Sequence, residues 1–370
     1  MPHKISGIKN GDARVILIDE SDWNTIESNT IVVGSGEYEI LDVVSGTKTV
    51  LVRGTDGEAY GFGGIATVFY EDPIPEGGDR GIFAGGQTSG VVSRIQYITL
   101  SNIGNSTNFG NLTLSRRGVG ANSNAGFQRG TFAGGLNSSS NPVSNIDYIT
   151  INTNSNATAF GNLTESRAES VGFSNGYNDR GIHGTGQAAS GSSVIDYITI
   201  STTSNSTNFG DSTQAIRARA GNSNASNERG CFNGGWATSN IIDYITINTT
   251  GNASSFGNLA VGRRYLSGTS NGTNERGVQG GGYTTTYTGY IDYYTINTGG
   301  NASNFGATNG NRYGVTANSN GTSERGTFGG GRTTSNVNNI NYITINTTGA
   351  IADFGDMVEA IFSCGGTSNA

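Results

Sequence analysis

One pattern, repeated six times at near-constant spacing, dictates what residues 80–370 can become. Arg-Gly occurs at Arg80, Arg129, Arg180, Arg229, Arg276 and Arg325, and a Tyr follows each at Tyr97, Tyr148, Tyr197, Tyr244, Tyr293 and Tyr342. Phe-Gly comes next, at Phe109, Phe160, Phe209, Phe256, Phe305 and Phe354. A period of 47 to 51 residues belongs to propeller blades and solenoid units. Within a copy, Ile146-Asp147-Tyr148-Ile149-Thr150-Ile151 alternates its side chains and uses residues that suit a pleated surface. Gly, Asn and Ser clusters punctuate every 8 to 12 residues, which gives four short strands per unit and no helical periodicity.

The ends of the pattern separate a ring from a solenoid. In the fourth copy the strands read Arg219 to Asn224, Arg229 to Gly235, Ile242 to Ile247 and Ser255 to Leu259. The chain enters the pattern at a second strand, Arg80 to Gly86, and finishes at a first strand, Ile361 to Asn369. The last strand is therefore expected to complete the first blade, closing six blades and removing two exposed edges.

These residues resemble the kelch-type β-propeller over 80–370. That family's blade has an inner strand, a second strand ending in Gly-Gly, a Tyr-bearing third strand and an aromatic-bearing fourth. Here Phe stands where the family usually has Trp, and Thr185-Gly186 replaces one Gly-Gly. The resemblance implies the fold alone.

Spacing locates the variability. Phe to the next Arg-Gly is always 20 residues and Tyr to Phe always 12, while Arg to Tyr is 17, 19, 17, 15, 17 and 17. All length variation lies between second and third strands, in even steps that keep each side chain on its face of the sheet. These connections are 87–94, 136–145, 187–194, 236–241, 283–290 and 332–339. In a propeller they share a face with the turns leading from one blade's outer strand to the next blade's inner strand. Those turns carry Arg116, Arg167, Arg217, Arg263 and Arg312. Trp236, Tyr283, Tyr287, Tyr290 and Arg332 are then expected to crown this face near an arginine ring, a composition found in binding hot spots and sugar-stacking platforms. The competing reading makes the arginines structural partners for carbonyls or acids, and the aromatics simple caps.

Other repeated features read as structural. The acids before Arg-Gly, at Asp79, Asp179, Glu228, Glu275 and Glu324, are expected to serve a hairpin turn and ion pairs. Asp147, Asp196, Asp243 and Asp292 are expected to face solvent. His183 and Gln279, standing where other copies have Phe83, Phe132, Phe232 and Phe328, read as tolerated strand substitutions. The Asn-x-Ser/Thr triplets follow from composition and are not read as glycosylated. Cys231 and Cys364, half a ring apart, should be free and buried.

Residues 1–70 have a different composition, and 71–79, with two of the four Pro, read as a linker. Residues 1–78 hold 13 acids against five basic residues, a net −8, whereas the remainder is near neutral. Strands at 13–19, 29–33, 38–41, 47–53 and 66–70 suggest a small β-sandwich. Gly36-Glu37-Tyr38-Glu39-Ile40 and the Lys48-to-Arg53 strand resemble the carboxypeptidase regulatory-like (transthyretin-like) domain, a non-catalytic module. The expected fold is thus all-β, a sandwich at 1–70 followed by a six-bladed propeller.

Composition narrows the function classes. Only His3 and His183 occur, so a multi-His metal cage is not available, and no cofactor or metal is expected. There is no Gly-x-x-x-x-Gly-Lys loop, no assembled Ser-His-Asp set, and no Lys beyond residue 48, which argues against phosphate loops, hydrolytic triads and nucleic-acid binding. No apolar run long enough for a membrane span and no signal segment is readable. The order of segments and the Gly/Asn/Ser/Thr-rich repeats resemble bacteriophage virion appendages. That resemblance implies a non-enzymatic structural protein of the virion, assembled in the host cytoplasm. Residues 1–70 would dock on other virion proteins of the tail or capsid, and the propeller would bind a host-surface glycan or protein. A bacterial surface glycan-binding propeller and a polysaccharide-degrading enzyme are the alternatives.

Overall fold

The computed structural model describes residues 78–349 and 351–369. The expected sandwich at 1–70 and the linker up to residue 77 lie outside the described residues. The rest forms six four-stranded antiparallel sheets. Blade 2 shows the plan: an inner strand Gly120–Ser123, a second strand Arg129–Ala133, a third strand Asn145–Thr150 and an outer strand Thr158–Asn162. The inner strands of blades 3 to 6 are Val171–Ser174, Ala220–Ser223, Ser267–Ser270 and Thr316–Ser319. Blade 1 takes its inner strand from the far end of the chain: Gly365–Ser368 pairs with Arg80–Ala84. It also packs between the inner strands of blades 6 and 2, so the ring closes as the sequence pattern demands. Among the described residues no helix is long and apolar enough to cross a membrane.

The three repeated signals become one ladder at the perimeter of each blade. The guanidinium of each Arg-Gly lies over its own blade's Tyr, 4.1 to 4.8 Å from the ring centroid. That Tyr meets the Phe of Phe-Gly edge to face at 6.0 to 6.2 Å. The same guanidinium donates to carbonyls of the next blade: Arg129 to Ile200 and Ser201, and, closing the ring, Arg325 to Leu100 and Ser101. Each contact contributes about 1 kcal/mol, and six repeats make the perimeter a cooperative belt.

Asparagines supply a second belt. Asn156 Oδ1 accepts the Asn111 N–H of the preceding blade at 3.0 Å, and Asn205, Asn252, Asn301 and Asn105 repeat the bond around the ring. The Asn of these five Asn-x-Ser/Thr triplets is therefore a clasp between blades rather than a by-product of composition. The Gly of Phe-Gly is where this clasp crosses: a Cβ on Gly161 would stand 2.1 Å from the Ser204 carbonyl oxygen.

At one mouth of the central channel, five 3₁₀ turns such as Ala125–Phe127 and Gly176–Asn178 lead from inner to second strands. The acids before Arg-Gly end four of them in the left-handed region, with φ of 63° to 72° at Asp179, Glu228, Glu275 and Glu324. Their carboxylates accept from the amides of Asn124, Asn175, Asn224 and Asn271 on the preceding blade. The expected turn duty is present, but the partners are neutral amides rather than cations.

In the core, Phe83, Phe132, Phe232 and Phe328 are fully buried, and His183 and Gln279 occupy the same station. His183 takes the Asn122 side chain across the blade boundary at 3.0 Å, and burial holds its pKa down to about 3, so it is a neutral interior group. Both cysteines are free. Cys231 is buried, its thiol pushed up to about 12 by burial, which makes it inert. Cys364 is only half-buried, because it stands just before the closing strand, at the channel wall.

Candidate functional site

The connections between second and third strands do share a face with the turns entering each blade, and they are bonded to them. Arg116–Arg117 pairs with Leu136–Asn137. Bridges join Gln87 to Phe362, Ala168 to Gln187, Arg264 to Tyr283 and Tyr313 to Arg332, and the Trp236 N–H donates to the Arg217 carbonyl at 2.9 Å. Each blade thus presents one cross-strand pair on this loop face. From blade 1 to blade 6 the pairs are Phe362/Gln87, Arg117/Leu136, Ala168/Gln187, Arg217/Trp236, Arg264/Tyr283 and Tyr313/Arg332.

Immediately inside these pairs lies a collar of backbone. Gly118, Glu169, Ala218, Tyr265, Gly314 and Ser363 all have φ between 52° and 66°. Each N–H donates to the carbonyl of the collar residue of the preceding blade, Gly118 to Ser363 at 2.8 Å and so on round to Ser363, which donates to Gly314, making a closed ring of six hydrogen bonds. The left-handed turn sets all six collar residues around the cavity at this mouth, and a bulky residue accepts it only where the surroundings enforce it. Glu169 and Tyr265 are the two large ones. They meet across the mouth, the Tyr265 hydroxyl donating to Glu169 Oε1 at 3.1 Å, above a cavity of about 120 Å³ lined by the whole collar.

The arginines divide into two classes. Arg116, Arg167, Arg263 and Arg312 are fully buried. Arg116 donates to the Phe132 carbonyl at 3.0 Å and pairs with Asp147 at 2.9 Å. Arg167 and Arg263 repeat this with Asp196 at 2.7 Å and Asp292 at 2.6 Å. Arg312 meets the neutral Asn341 at 2.6 Å, and burial pulls its pKa down to about 10. In blade 4 the equivalent place is Ile216, and Arg219 reaches Asp243 instead, at 2.7 Å. These buried guanidiniums pin each incoming turn to its blade and are closed to a ligand. Their aspartates are interior too, not facing solvent as the alternation suggested, because a propeller sheet is covered by a neighbouring blade on both faces.

Arg217 belongs to the other class. It lies on the loop face, its Nε 3.4 Å from Glu169 Oε2 and its Nη1 bonded to Gln187. Its guanidinium is 3.9 Å from the Trp236 centroid, and that of Arg264 is 4.0 Å from the same ring. Arg264 also lies 4.9 Å from Tyr283. Tyr283 continues to Tyr287 at 5.8 Å and Tyr313 at 6.1 Å, and Tyr287 stacks on Tyr313 at 5.6 Å with an 11° tilt. Tyr313 then meets Phe362, over which Arg332 lies at 5.4 Å. Trp236, Tyr283, Tyr287 and Arg332 are thus brought together as expected, in one arc over blades 4 to 6. Tyr290, 47% exposed at the start of its strand, joins none of these ring contacts.

Sequence reasoning passed over Glu169, Tyr265, Arg264 and Tyr313. A signal for them exists: the pair residues stand eight positions after each Phe-Gly Phe and seven after each Arg-Gly Arg, and the collar residues nine after the Phe. Burial raises the carboxyl pKa of Glu169 against the pull of Arg217, the Tyr265 hydroxyl, Arg117 and Arg264. Tyr265 is raised as well, chiefly by burial and by Glu169. No protein-family model matches the chain, and no curated protein matches it.

Proposed function

We propose that this is a non-catalytic binding propeller of the kelch type, displayed as part of a bacteriophage virion and docked there by residues 1–70. The observation that carries the binding role is the contrast between fixed and varied positions. Every blade keeps its perimeter ladder, while the cross-strand pair on the loop face changes from blade to blade and gathers Arg and aromatic groups over blades 4 to 6. Variation on a constant scaffold is how recognition surfaces are built.

Two further features support display. Gly78 lies beside the mouth formed by the 3₁₀ turns, and the loop face is the opposite mouth. The strongly acidic composition before residue 78 suits docking on a basic partner. The kelch and virion assignments rest on resemblance in the repeats and in the order of segments. Purified particles should contain the chain in fixed stoichiometry, and its absence from them would refute the virion role. On host cells, replacing Trp236 and Tyr283 together by Ala should weaken adsorption of the full chain about tenfold or more. Its melting transition should stay cooperative and fall only by what the lost cation–π and ring contacts contribute, and unaltered adsorption would move the binding surface elsewhere.

A further inference from the structure

The loop face already holds one carboxylate, and the way it is held describes what else would fit. Glu169, with a side chain only 7% exposed, receives the Tyr265 hydroxyl and lies beside Arg217. Arg117 and Arg264 complete its electrostatic surroundings. It is the only acid among the pair and collar residues.

Arg264 is the complementary observation. Its flat face is taken by Trp236, Tyr283 and Tyr265, yet its buried Nε has no hydrogen-bond partner among the described residues. A guanidinium stacked on aromatic rings keeps its in-plane edges free, and with Nε buried the edge that Arg264 offers a ligand is its Nη1–Nη2 end, which matches a carboxylate with two parallel hydrogen bonds. Trp236 has both nearby guanidiniums within 4.0 Å of its centroid, so it serves to hold cations rather than to stack a sugar. The tyrosines of blades 5 and 6 remain as amphipathic surface for the apolar face of a sugar ring.

On the binding reading above, we propose that the loop face of blades 4 to 6 recognises a carboxylated saccharide, its carboxylate taken by the edges of the stacked Arg264 and Arg217 and its ring packed in the angle between Tyr283 and Tyr287. Glu169 acts as a built-in competitor that occupies Arg217 until the ligand arrives. An acidic peptide fits less well: the outer edge strands of the four-stranded sheets lie on the perimeter, away from Arg217 and Arg264, and the two-residue ladder of Arg116–Arg117 with Leu136–Asn137 on the loop face is too short for an extended chain to join.

The test titrates the full chain with three acidic saccharides (tetragalacturonate, an alginate oligomer and oligosialic acid), the methyl ester of the best binder, dextran sulfate and poly-glutamate. At least one acidic saccharide should bind, and its ester should not. Arg264→Ala should lose about tenfold or more, and Arg264→Lys, which keeps the charge without the fork, should recover only part of it. Glu169→Gln should tighten binding of the acid form. Each variant is checked by its melting temperature, so that a folding defect is not read as lost binding. Equal binding of acid and ester that is still weakened by the Trp236/Tyr283 double variant would overturn the carboxylate while leaving the binding face in place. Tighter binding of dextran sulfate or poly-glutamate, or binding of none of the saccharides, would also overturn it.

Discussion

The perimeter of this propeller and its loop face obey opposite rules. At the perimeter, six blades solve one problem with one set of residues: Arg over Tyr, Tyr against Phe, and an Asn clasp beside them in most blades. On the loop face, six blades at equivalent positions use six different pairs, from Ala168/Gln187 to Arg217/Trp236. The perimeter groups complete the belts between blades, so a change in one copy costs stability without a local gain. The loop-face pairs are joined through backbone bonds and a backbone collar, which leaves their side chains free to vary. The buried Arg–Asp pairs lie between these regimes, present in blades 2 to 5 and altered in blades 1 and 6.

The largest expected effect comes from breaking the ring itself. Deleting residues 362–370 removes the inner strand of blade 1 and two collar bonds, and it exposes the Arg80–Ala84 strand as an edge. The truncated chain is expected to lose its cooperative melting transition and to aggregate. A soluble truncation with an unchanged transition would show that the belts do not depend on closure.

Next comes the interior charge. Asp147→Ala leaves Arg116 fully buried without its acidic partner and also removes the acceptor for the Thr113 hydroxyl. The loss should be roughly 3–5 kcal/mol in denaturant unfolding, because an uncompensated buried charge is the costly state. Blade 6 offers the reverse experiment. Arg312 already sits buried against neutral Asn341, so Asn341→Asp should supply the missing carboxylate and stabilise by about 1 kcal/mol. If Asn341→Asp destabilises instead, the pairs in blades 2 to 5 are not a repeating scaffold device, and the division between constant interior and variable face needs redrawing.

Much of this division was legible in the sequence, and its blind spots have physical causes. The period and the complementary chain ends imposed six closed blades, and the constant Tyr-to-Phe interval is the edge-to-face pair read in one dimension. The arginines were harder because Arg116-Arg117 and Arg263-Arg264 are adjacent residues on extended backbone. One side chain points in and the next points out, so a shift of one position exchanges scaffold for face. Counting Arg217 with Arg116 made that exchange, since the position matching Arg116 in blade 4 is Ile216. Glu169 and Tyr265 escaped for another reason. Their approach across the axis depends on left-handed backbone at non-glycine residues, which nothing in their own segments announces and only Gly118 and Gly314 at the equivalent positions signal.

Glu169 also gives the smallest and most discriminating test of the comparison. Burial sets its folded carboxyl pKa above the ordinary value, and the arginines offset this only in part. A raised folded pKa means that the protonated form is the better accommodated one. Its contribution to stability is full below the unfolded carboxylate pKa and is lost as pH rises through the folded value. Glu169→Gln, which stays neutral, should therefore match the native chain in melting temperature at acid pH and exceed it modestly at neutral pH. A group placed for stability would behave the other way, and a Gln variant that melts lower at neutral pH would assign Glu169 to the scaffold as an Arg217 partner. The expected gain would instead mark the collar carboxylate as a group kept at a cost to the fold, as a face built for recognition requires.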